Sequence, residues 1–206
     1  MSQGNEPRVW FSMYVLLYVY AMPLTAIVVT GTSTGLGRAV ADLVLEKGEI
    51  VVATARRSSS LDDLTEKYPK ERLLVLPLDV TQPQQIIDAF NTAAGRFGRI
   101  DIVFNNAGMG ELGELEGMEE SKARSVLETN FWGAVSVTKE AVKHFRETNP
   151  PGTGGRLLQM SSYLGLVGQP ACAFYCASKF GTYTDGVCLT ELSKYPLSLY
   201  STRRGI

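Results

Sequence analysis

Histidine occurs once in these 206 residues and cysteine three times, and the formal net charge is only −1. Each scarcity excludes something. The single histidine, His144 in "KEAVKHFRE", so placed, argues against a Ser-His-Asp hydrolase and against multi-histidine metal centres. In that helical context it is expected to be a solvated surface residue. Cys172, Cys176 and Cys188 are odd in number and clustered late, which is no disulfide framework and suits a reducing compartment. Cys172 and Cys176 lack the neighbouring ligands that a zinc site needs. A near-zero net charge gives no reason to expect nucleic acid or an anionic membrane as a partner. Repeats and low-complexity segments are absent. What is present is 45% hydrophobic and 20% charged residues, the balance of a packed globular domain.

One stretch lacks charge altogether. Val9 to Val29 runs without an acid or a base and leads directly into "TGTSTGLG". Removing residues 12–28 leaves "PRVWFVTGTSTGLG", a single uninterrupted first strand, so this segment is read as translated intron. Three alternatives stand beside it. Once a strand from Ala26 is set aside, the apolar run is shorter than the ~20 residues needed to cross a bilayer. A secretory h-region fits the length but lacks an obvious cleavage site. A monotopic membrane anchor is the third. The chain therefore divides into an irregular extension, 1–25, and a domain, 26–206. A cytoplasmic location is expected, with membrane association through the extension as the alternative.

After Ala26, short apolar runs alternate with helical patterns. "AIVVT", "EIVVATA", "RLLVLPL", "IDIVFNNAG" and "RLLQMSS" are expected strands. Between them lie "GRAVADLVLEKG", "SSLDDLTEKYP", "TQPQQIIDAFNTAAGRFG" with Thr81 as expected N-cap, and a long helical stretch from Glu119 to Thr148. A helix opens again at "FYCASKFG", where Gly181 and Gly186 are expected to weaken it. The pattern is that of an α/β fold, a doubly wound parallel sheet covered on both faces, with ligand bound at the carboxyl ends of its strands.

"TGTSTGLG", Thr30 to Gly37, sits between a strand and a helix. Its glycines allow a tight turn and close approach of a pyrophosphate to free N–H groups at the helix start. No Lys-Ser or Lys-Thr follows, so it is not a nucleoside-triphosphate P-loop. A plain strand-to-helix turn is the duller alternative. The second strand ends in Arg56 and Arg57, and no acid occurs between Glu49 and Asp62. NAD-binding folds place an acid there for the ribose 2′-hydroxyl, whereas arginine suits a 2′-phosphate, so NADP(H) is preferred over NAD(H). The alternative is two solvated arginines capping a strand.

"YCASK" sets Tyr175 and Lys179 one helical turn apart, with Ser162 ending the fifth strand before them. Together with Thr30-Gly31-x-x-x-Gly35-x-Gly37, Asp79, Asn105-Asn106-Ala107-Gly108 and Asn130, these residues resemble the short-chain dehydrogenase/reductase family, in its short single-domain branch. The resemblance covers Ile27 to Lys179. It implies a Rossmann-type NAD(P)-binding fold and a hydride-transfer reaction. Tyr175 is then the acid that protonates a carbonyl oxygen. Bringing a phenol of pKa about 10 to neutrality requires about 4 kcal/mol of phenolate stabilisation, which Lys179 is placed to help supply. Ser162 holds the substrate oxygen, Lys179 also holds the nicotinamide ribose, and Asn130 supports a proton relay. The implied cofactor wall comprises Thr30, Gly31, Thr32, Ser33, Gly35, Leu36, Gly37, Asp79, Val80, Asn105, Asn106, Ala107 and Gly108.

Met109, Gly110, Tyr163, Leu164, Leu166 and Val167 are expected to border an apolar substrate pocket, suited to a small apolar ketone or alcohol. Plain core and loop packing is the alternative. A homo-oligomer is compatible with all of this. Family members continue after the lysine with a sixth strand, a lid and a seventh strand. Here only "FGTYTDGVCLTELSKYPLSLYSTRRGI" follows, of which "PLSLYST" is strand-like, so the C-terminal strands look truncated. Low stability and little activity are expected on that account. Two functions follow: an NADP(H)-dependent carbonyl reductase or alcohol dehydrogenase, and a truncated, non-catalytic nucleotide-binding variant of the same fold.

Overall fold

The computed structural model describes residues 25–192. Five strands, β1 (Ala26–Thr30), β2 (Ile50–Ala55), β3 (Leu73–Pro77), β4 (Ile102–Asn105) and β5 (Arg156–Gln159), form one sheet in the order β3-β2-β1-β4-β5. Every pairing is parallel, with Val28 of β1 opposite Val52 of β2 and Val103 of β4. The strands are short and apolar throughout because both faces are covered. Side-chain alternation divides them cleanly. Ile27, Val29, Val51, Ala53 and Phe104 pack beneath Val40 and Val44, whereas Val28, Val52 and Val103 pack against Ile86, Phe90, Val137 and Ala141.

The helices are α1 (Gly35–Glu46), α2 (Asp62–Lys67), α3 (Pro83–Phe97), α4 (Glu120–Leu127), α5 (Ala134–Lys143) and α6 (Ala173–Leu192). A π turn, Glu128–Gly133, joins α4 to α5, and a second, His144–Thr148, ends α5. The chain winds β1, β2, β3 toward one edge and then β4, β5 toward the other. The reversal lies between β1 and β4, the place where such sheets open a crevice at their carboxyl ends. None of the helices among the described residues is long and apolar enough to cross a membrane.

Several local expectations are corrected. The α3 N-cap is Gln82, with Pro83 as first helical residue, because Thr81 spends its N–H and hydroxyl on Asp79. His144 is buried, not solvated, and its ring packs 5.6 Å from that of Phe90. Helix α6 runs through Gly181 and Gly186. A Cβ at Gly181 would stand 2.8 Å from the Phe131 ring, so close packing between α6 and the π turn accounts for the glycine there. Three residues of the segment 12–28, Ala26 to Val28, are buried in β1. The preceding part of that segment and "PLSLYST" lie outside the described residues.

Candidate active site

The glycine loop is built by packing from below. Gly31 and Gly35 adopt φ of +70° and +64°, which only glycine takes without cost. A Cβ on Gly37 would lie 2.4 Å from the Gly31 carbonyl oxygen and 2.5 Å from Asn106 Nδ2, so α1 can begin flush against the strand ends only with glycine. Thr30 and Thr32 are fully buried and hold the loop in place. Thr30 Oγ1 accepts from the N–H groups of Asn106 and Ala107, both at 2.9 Å, and Thr32 Oγ1 donates to Thr54 O at 2.8 Å. Asn106 Nδ2 donates to Thr30 O at 2.8 Å. These three side chains fix the loop's shape, while Ser33, Gly35 and Leu36 remain exposed.

Nothing lies within 4 Å of a Cβ built on Gly35, and Thr34 makes no side-chain bond to the first turn of α1. Backbone donors at a helix start beside open space fit a pyrophosphate group. Arg56 and Arg57 are exposed immediately after β2, whose Thr54 pairs with Thr30 at the base of this loop. Of the next acids, Asp63 is bound by Arg38, which also holds Asp42 at 3.0 Å. The guanidinium holds the Asp63 carboxyl below the usual range, and Asp63 in turn raises Arg38. Asp79 opens the turn into α3 through its bonds from Thr81. Val80 is buried against the π turn, where a Cβ on Gly133 would stand 2.7 Å from its Cγ2.

Ser162, Tyr175 and Lys179 line one cleft of about 600 Å³, together with Asn106 and Gly108. Lys179 is 4% exposed, and its Nζ donates to Met160 O at 3.4 Å. It stands 5.7 Å from the centre of the Tyr175 ring. Burial lowers the pKa of its ammonium, because a charge is poorly solvated there. Strand β5 stops at Gln159, so Ser162 does not end it as expected but lies three residues beyond, in extended backbone, where its Oγ accepts from Leu164 N at 3.2 Å as it starts the turn Tyr163–Gly165. Met109, Gly110 and Leu164 also line the cleft, whereas Tyr163, Leu166 and Val167 are exposed and form none of its wall.

Neither Asn105 nor Asn130 lines the cleft. Asn105 ends β4. It is 1% exposed, and its Nδ2 donates to Ala134 O and Gln159 Oε1, both at 2.8 Å, tying β4 to α5 and β5. Asn130 lies in the π turn behind the cleft, not in its lining. Its Oδ1 accepts from Met109 N at 2.8 Å, while its Nδ2 donates to Met109 O at 2.8 Å and Ser178 Oγ at 3.1 Å. The side chain thus binds both polar groups of the Met109 backbone. Leu112, Met160 and Ser161 line the cleft without having been singled out in the sequence. Ser161 and Met160 sit beside Ser162 just past the strand end, which is the signal that points to them.

A family model described as short chain dehydrogenase matches residues 25–185. An uncharacterized oxidoreductase of Schizosaccharomyces pombe is 41% identical over 156 residues, which is 76% of this chain and 51% of that protein. A protein named 3-ketodihydrosphingosine reductase from Bacteroides thetaiotaomicron is 34% identical over 165 residues, covering 79% of this chain and 57% of its own length. The crystal structure of a short-chain dehydrogenase from Streptomyces avermitilis superposes with a TM-score of 0.76 at 30% identity, over 83% of this chain and 61% of that one. The chain thus spans about half the length of these two curated relatives.

Proposed function

This chain belongs to the short chain dehydrogenase family, and from that membership we propose that it interconverts a carbonyl and an alcohol using NADP(H), with Tyr175 as acid and base. The observation that carries this reading is the convergence of Ser162, Tyr175 and Lys179 on one cleft that also touches the glycine-loop residue Leu36. A bound nicotinamide supplies or accepts the hydride. The chain's own residues do the rest. Ser162, freed by its extended backbone beyond the strand end, offers its hydroxyl hydrogen to the substrate oxygen while its Oγ keeps the bond from Leu164. Tyr175 delivers a proton to that oxygen in reduction and removes it in oxidation. The buried Lys179 ammonium favours the phenolate by charge. The first-turn N–H groups of α1 hold the pyrophosphate, and Asn106, Ala107 and Gly108 form the wall beside it.

Arg56 and Arg57 favour a 2′-phosphate, since no acid stands at the end of β2 and Asp63 is occupied by Arg38. The apolar lining by Met109, Leu112, Met160 and Leu164 suits an apolar ketone, and the name of the Bacteroides relative agrees with ketone reduction. The test is oxidation of NADPH and NADH against a panel of apolar ketones, with Arg56→Ala and Arg57→Ala singly and together. The expected loss of NADPH preference is about 1.5–3 kcal/mol, the worth of a hydrogen bond to a charged group. An unchanged ratio of the two cofactor affinities in the double variant overturns the assignment of the arginines. Cofactor binding without turnover of any ketone overturns the reaction.

A further inference from the structure

Ser178 is fully buried in α6, between Tyr175 and Lys179 in sequence order, and its hydroxyl is used twice. It donates to Tyr175 O at 2.7 Å, the usual back-bond of a helical serine. It also accepts from Asn130 Nδ2 at 3.1 Å, a bond that leaves the helix. One hydroxyl hydrogen and a free lone pair are what these two bonds require. The Asn130 carboxamide is then fully engaged, because its remaining hydrogen and its oxygen clamp both polar groups of the Met109 backbone. Two buried side chains thereby join three elements: the π turn, the loop after β4, and the helix that carries Tyr175 and Lys179.

The residues they fix, Met109 and Tyr175, both line the cleft. The loop that carries Met109 runs beside Tyr175 and Lys179. A Cβ on Gly110 would stand 3.7 Å from the Tyr175 ring, and one on Gly108 would lie 3.1 Å from Asn130 Oδ1 and 3.5 Å from Lys179 Nζ. A displacement of Met109 is therefore transmitted to the space in front of the Tyr175 ring. A residue that only filled volume here could be alanine, yet alanine would strand a buried amide hydrogen of Asn130.

We propose that Ser178 is a positioning residue: by holding Asn130, it fixes the Met109 wall against Tyr175. The effect on turnover rests on the reading of Tyr175 as the acid, but the effect on Met109 does not. Ser178→Ala, Asn130→Ala and the double variant are compared with the unaltered chain. Backbone hydrogen exchange is followed at Met109 and, as a reference, at Val137 to Ala141. Ketone reduction with NADPH is measured on the same proteins. Ser178→Ala is expected to speed exchange at the Met109 N–H about tenfold with the reference amides unchanged. It should lower kcat about tenfold, as a small misplacement near the reacting groups does, with KM for NADPH within about twofold. Because Ser178 acts through Asn130, adding Ser178→Ala to Asn130→Ala should cost no more than about a further twofold. Unchanged exchange at Met109, equal acceleration at the reference amides, or losses that multiply in the double variant would each overturn the proposal. Faster exchange at Met109 in proteins that reduce no ketone would uphold the clamp and refute the reaction instead.

Discussion

Ala171 has φ of 59°, the left-handed region, and no other non-glycine residue among those described does. Its carbonyl accepts from Gly113 N at 2.9 Å, so the unfavourable conformation ties the loop after β4 to the segment entering α6. An alanine in this region costs about 1–2 kcal/mol. Glycine would remove that cost but lose about 0.4–1 kcal/mol to the greater freedom of the unfolded chain. Relief is the larger effect, so Ala171→Gly should stabilise the protein by about 0.5–1 kcal/mol, seen as a higher urea midpoint at unchanged slope. A lower midpoint would show that the surrounding loop, not the residue, bears the strain. At this scale the sequence was informative where chemistry has a fixed spacing. Tyr175 and Lys179, four apart in a helix, and Ser162, just past a strand end, share a cleft. Asn130 stood out only through the family resemblance and Ser178 not at all, since their partners are backbone groups and one another, which no spacing announces.

The helical stretch from Glu120 to Thr148 shows the same limit for elements. Its extent was legible, but its two π turns were not. The first inserts a residue and rotates the face of α5 that follows it by about 100°, which defeats a surface assigned by a uniform period. His144 illustrates this. It is 2% exposed, its Nε2 stands 3.2 Å from Glu140 Oε1, and neither ring nitrogen makes a hydrogen bond of good geometry. Loss of solvation lowers its pKa, outweighing the opposite pull of Glu140. The sign follows from proton counts. Below the ordinary imidazole value of about 6.5 the unfolded chain binds the proton and the folded chain resists it. Stability attributable to His144 is therefore present above about pH 7 and falls as pH drops through the folded value. Denaturation midpoints measured between pH 7.5 and 5 should decline for the unaltered chain and decline less for His144→Gln. Parallel declines would mean that carboxylates alone set the slope.

For the whole molecule, five apolar runs between helical patterns were enough to give a parallel doubly wound sheet, because burial on both faces leaves such strands almost no polar positions. The strand order places the reversal between β1 and β4, and the glycine loop, the residues after β4 and the end of β5 meet there. The expected substrate wall was legible only in part, since exposure of Tyr163, Leu166 and Val167 depends on how one short turn leaves the sheet. The account as a whole stands on Tyr175 as the proton donor in that cleft. Replacing it with phenylalanine removes the hydroxyl and keeps the ring, so NADPH binding should stay within about twofold. Turnover of an apolar ketone by Tyr175→Phe should fall at least 10²-fold, the lower end of what a positioned acid contributes. More than about a tenth of the original turnover remaining in Tyr175→Phe would contradict the account.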